Sequence, residues 1–254
     1  PDYYYRESSG GFGTPTSRYG ITLQDSISWE WFTILGGVRY DHFEVDSYTS
    51  DPVYKKGVVV TPAQRYWHQT ADAVSPRGGI SIQPLEWLVF FGNISQTRTP
   101  TLGYRNKDGS SPDEPWRATQ YEGGVRLRPA EKLWLTLAAY RIEQENMPEA
   151  DTETGFYTYD GRNTSRGAEV SLTGDITDNW TIMGMYAYNQ YTDRNIAPGQ
   201  KGRHFERYPA HTFSLNTSYR FSSGPLEDVV VGAAYRFRSM NYACMRGAYT
   251  HKNL

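Results

Sequence analysis

The 254-residue chain holds a single cysteine, Cys244, so no internal disulfide and no multi-cysteine metal site forms within it. It has no run of 18 or more apolar residues, which excludes a transmembrane helix. It has almost no net charge: 26 basic residues stand against 28 acidic ones, so no nucleic-acid footprint follows. There is no Gly-X-Ser-X-Gly motif and no clustering of Ser, His and Asp, and the five histidines match no zinc spacing. These absences remove the common hydrolase and metalloenzyme readings. The low mean hydropathy of -0.68 leaves one membrane class open. A transmembrane β-barrel hides its apolar band in every second residue, and its polar side lowers the mean.

What the chain does have is aromatic residues, 21 Tyr and 7 Trp among them, and strict alternation. The clearest stretch is Ser165 to Asp193. Ala168, Val170 and Leu172 alternate with Gly167, Glu169, Ser171 and Thr173. After a short turn over Asp175 to Asn179, Ile182, Gly184, Tyr186 and Tyr188 alternate with Thr181, Met183, Ala187 and Asn189. Period two over about ten residues predicts strands of the length a tilted strand needs to cross a bilayer, where soluble strands average five or six.

The same unit recurs. Tyr19 to Ile27 and Phe32 to Asp41 form a first hairpin, Val74 to Arg98 a second around Pro84–Leu85–Glu86, and Gln120 to Gln144 a third across Ala130 to Lys132. A fifth sets Phe213 to Phe221 against VVVGAAYRF through SSGPLED. Between hairpins the sequence predicts long irregular connections at Ser47–Asp72, Thr99–Ala118, Glu145–Asn163 and Thr192–Tyr208, with Arg238–Leu254 loop-like. Short turns alternating with long loops through about ten strands fit a transmembrane barrel, with short turns on one rim and long loops on the other. A soluble β-propeller acting on carbohydrate is the rival from another class, but its blades need four short strands each. The opening PDYYYRESSGGFGTPTS reads as a loop, so the ten strands are expected to be one arc of a larger barrel.

Five ordered segments carry a resemblance: GGVRYDHF (Gly36–Phe43), SPRGGISIQP (Ser75–Pro84), QYEGGVRLRP (Gln120–Pro129), SRGAEVSLTGDITDNW (Ser165–Trp180) and YPAHTFSLNTSYRFSSGPLEDVVVGAAYRF (Tyr208–Phe237). In that order they resemble the barrel of TonB-dependent ferric-siderophore receptors. The resemblance implies an all-β antiparallel transmembrane barrel of 22 strands, of which residues 1–254 would be a partial barrel domain without the plug domain and terminal strands. It implies a receptor in the outer membrane of a Gram-negative bacterium, not an enzyme. Its partners would be a ferric siderophore, outer-membrane lipid, and TonB acting through the missing N-terminal region. The Thr99–Ala118 connection lacks the family's usual Pro-Glu run.

Iron wrapped in a chelator needs no protein ligands and no cofactor. It needs aromatic faces for the chelate's apolar skin and donors for its negative oxygens. The candidates in the connections are Tyr66, Trp67, Tyr104, Arg105, Trp116, Arg117, Tyr157, Tyr159, Arg203, Tyr208, Tyr242 and Arg246. Receptors for haem, cobalamin or another chelate are the alternatives within transport. A haem receptor would use a loop histidine, here His68 or His204. Arg39, Asp41, Arg77, Glu122, Arg126 and Glu169 are expected on the lumen side, because charge faces lipid only at a cost. The glycine pairs Gly36–Gly37, Gly78–Gly79 and Gly123–Gly124 lie within strands and predict bending or close approach of the wall.

Overall fold

The computed structural model describes residues 12–13, 16–55, 58–101, 115–150, 157–193 and 208–240. They form one antiparallel sheet. In chain order its strands are β1 (Phe12–Gly13), β2 (Thr16–Trp29), β3 (Phe32–Lys55), β4 (Val58–Leu85), β5 (Leu88–Thr99), β6 (Trp116–Ala130), β7 (Leu133–Ala150), β8 (Tyr157–Thr177), β9 (Trp180–Asp193), β10 (His211–Arg220) and β11 (Val230–Arg238). From β3 onward each strand pairs with the next. The short β1 and the long β2 both lie along the same side of β3, so together they make one edge, and the expected ten-strand arc is what forms. A single sheet in sequential order has no blades, which overturns the propeller alternative.

Two-residue turns close one end of the sheet: Trp29 faces Phe32, Leu85 faces Leu88, Ala130 faces Leu133 and Thr177 faces Trp180. At the opposite end two of the expected long loops are strand instead. β3 and β4 stay paired out to Lys55 and Val58, and β7 and β8 out to Ala150 and Tyr157. In their described residues the Ser47–Asp72 and Glu145–Asn163 connections are therefore hairpin extensions with register shifts near their ends. Once both faces of a strand meet water, side-chain alternation is no longer demanded, while the backbone still needs its hydrogen bonds.

Register carries each face from strand to strand. On one face Ile27 meets Ile34, Ile34 meets Ile80, Phe90 meets Val125, Leu137 meets Val170, and Tyr186 meets Phe213. These side chains have little cover: Ile21 is 75% exposed and Leu23 73%. The other face carries all six residues expected in the lumen, through pairings such as Arg39 with Ser75, Arg77 with Ser95, Asn93 with Glu122 and Ala138 with Glu169. The sheet has almost no core of its own. Among the described residues the buried apolar side chains are Phe43, Val45 and Ala73.

Rings flank the apolar band at both ends. Trp29, Trp87, Trp180 and Tyr219 stand at the turn end, and Tyr19, Tyr40, Tyr121 and Tyr188 at the other. Trp180 and Tyr188 are eight residues apart on β9, about 27 Å of strand, which a tilt near 40° reduces to roughly 21 Å. That is close to the ~25 Å band of an outer-membrane barrel.

Candidate ligand-binding wall

The polar face is built by alternation, and where it passes the upper ring of tyrosines it becomes rich in hydrogen-bonding groups. At its β2–β4 corner Asp41, 1% exposed, takes Arg18 Nε at 2.8 Å and Arg39 through Nε and a terminal amino group at 2.7–3.0 Å. Arg18, then Arg39, holds the Asp41 carboxyl well below the usual carboxylate range. Arg18 also lies over the Phe43 ring at 5.0 Å. At this corner two guanidiniums share one buried carboxylate.

The β6–β9 part of the same face differs in kind. Tyr140 donates to Asn189 Oδ1 at 3.3 Å, and Ser165 Oγ donates to the same oxygen at 2.6 Å. Asn163, buried, donates to the Met147 sulfur at 3.0 Å. Ala118 faces Gln144, Gln144 faces Asn163, and Ser165 faces Tyr191, so this amide-and-tyrosine patch is continuous across four strands. Trp116 opens β6 on this face, and its indole Nε1 is buried with no hydrogen-bond partner among the described residues. Such an orphaned donor carries a desolvation penalty of about 1–3 kcal/mol until an acceptor arrives. Tyr208 reaches the patch from the start of β10, 56% exposed and edge-on to Tyr191 with centroids 5.4 Å apart.

The sequence candidates separate. Trp116 and Tyr208 join this patch, and Tyr159 on β8 is half-buried at its upper end. Arg117 follows Trp116 on a strand and so stands on the apolar face, ion-paired with Glu145. Tyr66 and Trp67 lie on β4, paired with Tyr48 and Ser47, and Tyr157 on β8 is paired with Ala150, all in strand where loop was expected. Tyr104, Arg105, Arg203, Tyr242 and Arg246 fall outside the described residues, as does His204. His68 stands on the apolar side, its Nδ1 2.8 Å from Asp46, and so does His42, so neither lines the polar face. Tyr140, Tyr191 and Asn189 were missed. Spacings of two from Ala138 and Ala187, and the pairing of Tyr191 with Ser165, place them on the polar face, but the candidates were sought in loops.

The chain from residue 1 to residue 251 matches the sequence model described as TonB dependent receptor-like, beta-barrel. The chain belongs to that family. The metal-pseudopaline receptor CntO of Pseudomonas aeruginosa is 30% identical over 224 residues, covering 85% of this chain and 30% of CntO. The ferrioxamine B receptor of Salmonella typhimurium is 26% identical over 247 residues, 93% of this chain and 32% of the receptor. Among solved structures, the closed form of the ferric-catecholate import receptor Fiu of E. coli superposes with a TM-score of 0.74 at 21% identity, over 89% of this chain and 34% of Fiu. The alcaligin receptor FauA of Bordetella pertussis does so with a TM-score of 0.70 at 18% identity, over 90% and 38%. The chain thus spans about a third of the length of the relatives it matches. These relatives are transport receptors rather than enzymes, and their names give them different chelates.

Proposed function

We propose that this chain is the wall of an outer-membrane receptor that captures a ferric siderophore and imports it to the periplasm with energy delivered by TonB to a segment outside these residues. The observation that carries the reading is the two-faced sheet. One face is an apolar band between two aromatic rings, at bilayer height, and the other is polar and ends in an aromatic and amide patch on the long-hairpin side. The short turns then face the periplasm and the long hairpins the exterior. The patch offers what a wrapped metal needs: ring faces, the Tyr140 and Ser165 hydroxyls, and the waiting indole N–H of Trp116. The family membership and the siderophore and metal-chelate receptors among its relatives support the same cargo class.

The test is tryptophan fluorescence of the full-length receptor in detergent, titrated with a ferric hydroxamate, a ferric catecholate, haem and cobalamin. Saturable quenching by one ferric siderophore, absent with its iron-free form, is expected, and Trp116→Phe should remove part of it. Quenching by haem or cobalamin alone would replace the cargo. No response to any of the four would refute the siderophore reading.

A further inference from the structure

Where β5 ends and β6 begins, the two faces of the wall are unequally satisfied. Thr99 faces Trp116 and Arg98 faces Arg117, so chain neighbours divide between the faces. On the apolar side the polar groups pair among themselves. Gln96 donates to Thr119 Oγ1 at 3.2 Å, Arg98 donates from Nε to Gln96 Oε1 at 2.9 Å, and Arg117 pairs with Glu145. Trp116, on the polar side, differs: its indole Nε1 is buried with no hydrogen-bond partner among the described residues. The same holds for the hydroxyl of Thr101, two residues past the Thr99 that faces Trp116, and Thr101 is only 9% exposed. Buried side-chain polar groups nearly always find partners, so two orphans within two residues of one strand pairing call for a cause.

We infer that Trp116 and Thr101 form a paired-donor subsite for an uncharged carbonyl oxygen in the organic framework of the chelate. The inference rests on the reading that the polar face captures a metal chelate, and it names the group that docks beside β5 and β6. An indole N–H only donates and a threonine hydroxyl can donate, while a carbonyl oxygen has two lone pairs, so one such oxygen can take both. The wall already does this with its own groups: the Tyr140 and Ser165 hydroxyls both donate to the side-chain amide oxygen of Asn189. Charge decides the class of acceptor. Both orphaned donors are neutral, and the arginines nearest them in the chain, Arg98 and Arg117, stand on the apolar face. The ionisable side chain that follows Trp116 along the polar face of β6 is an acid, Glu122, which accepts from Gln120 at 3.0 Å. A carboxylate or phenolate brought here would lose its water without meeting a cation, whereas an amide-type carbonyl costs far less to strip and is fully paired by two neutral donors.

The test uses the full-length receptor in detergent, with two probes followed by titration calorimetry: the ferric complex of a linear trihydroxamate with amide-linked arms, and ferric citrate, whose outer oxygens are carboxylate and hydroxyl. The trihydroxamate should bind and the citrate should not. Thr101→Val and Trp116→Phe should each weaken the trihydroxamate by about fivefold or more, the loss of one hydrogen bond. A second readout separates a waiting donor from a structural one. Valine keeps the shape of threonine without its hydroxyl, so Thr101→Val should leave the thermal unfolding temperature of the ligand-free receptor unchanged or raised, while shrinking the upward shift that the chelate produces. A ligand-free receptor destabilised by Thr101→Val overturns the proposal, because the hydroxyl then serves the fold. Unchanged affinity in both variants overturns it too, as does ferric citrate bound as tightly as the trihydroxamate. Failure of the parent receptor with every chelate in the fluorescence titration refutes the capture reading itself, whereas a parent that binds and variants that bind equally well refute only the subsite.

Discussion

Leu215 sits midway on β10 between His211 at the upper ring and Tyr219 at the lower, and it faces Gly184 and Tyr235 on the apolar face. Four residues of strand separate it from either ring, about 14 Å along the strand and roughly 10 Å in depth after tilt. An arginine there would sit at the bilayer midplane with no anionic partner in register. Leu215→Arg is expected to cost about 2–4 kcal/mol, the midplane value for a barrel wall. At 1.4 kcal/mol per tenfold, that is a shift of about 30-fold to several hundred-fold in the unfolding equilibrium. Its neighbour Asn216 points to the other face, opposite Met183 and Ala234, and Asn216→Arg should stay within about 0.5 kcal/mol. Leu215→Ala removes the packing of Leu215 over Gly184 without adding charge, and so separates the two costs. The assay is reversible denaturant unfolding of the full-length receptor in phospholipid vesicles, followed by tryptophan emission. Equal costs for the two arginine variants, or a larger cost at Asn216, would mean that the apolar face is not the lipid face.

The remaining expectations concern the wall itself. Gly124→Ala should destabilise by about 1–3 kcal/mol, because its Cβ would collide with the Phe91 ring and the Leu137 carbonyl, while Gly123→Ala, with nothing nearer than the Phe91 carbonyl at 3.7 Å, should be near neutral; thermal unfolding in detergent compares them. Asp41→Asn should cost about 1–3 kcal/mol by leaving Arg18 and Arg39 without their shared carboxylate, again read by unfolding in detergent. Above the band, Asp72 raises the His42 pKa, with a smaller push from Glu44, so that contribution is complete below the unfolded histidine value and fades as pH rises through the folded one. Tyr40 and then His42 lower the Asp72 pKa, so its contribution is present above the unfolded carboxylate value and fades as pH falls through the folded one. Amide protection along the β3–β4 extension, taken relative to the intrinsic exchange rate at each pH, should therefore be greatest in mildly acidic solution between the two, and Asp72→Asn should flatten the profile.

How much was legible follows the two solvents. Where one face meets lipid and the other a polar interior, period two is compulsory, and the strands from Phe32 to Asp41 or Trp180 to Tyr188 could be read with the correct side for every residue. Past the tyrosine ring that pressure lapses. The extensions of β3 and β4 to Lys55 and Val58 are held in register by backbone pairing, and no pattern in Ser47–Asp72 announced them. The same lapse explains the site. Trp116 and Arg117 read together as neighbouring donors, yet a strand sends neighbours to opposite faces, so one reached the polar patch and the other a glutamate on the apolar side. Tyr140 was hidden by the opposite error, since a tyrosine inside a spanning strand reads as wall and not as part of a site.

The glycine pairs show how the two faces share one backbone. In Gly123–Gly124 the second residue lies beneath Phe91, which packs flat on the polar face where any Cβ would stand in its way. Gly37 lies under Arg77 in the same manner, and a Cβ there would stand 3.1 Å from its Nε. Their partners Gly36 and Gly123 meet no such neighbour, and both fall on the apolar face in register with Gly78 and Ala139. The expectation of close approach thus holds at Gly37 and Gly124, while a Cβ at Gly79, the polar-face member of the third pair, would meet only ordinary contacts, the nearest at 3.4 Å. On that face glycine lets large side chains lie along the wall instead of projecting, which keeps the interior open at mid-height and leaves the rings free to project at the upper end.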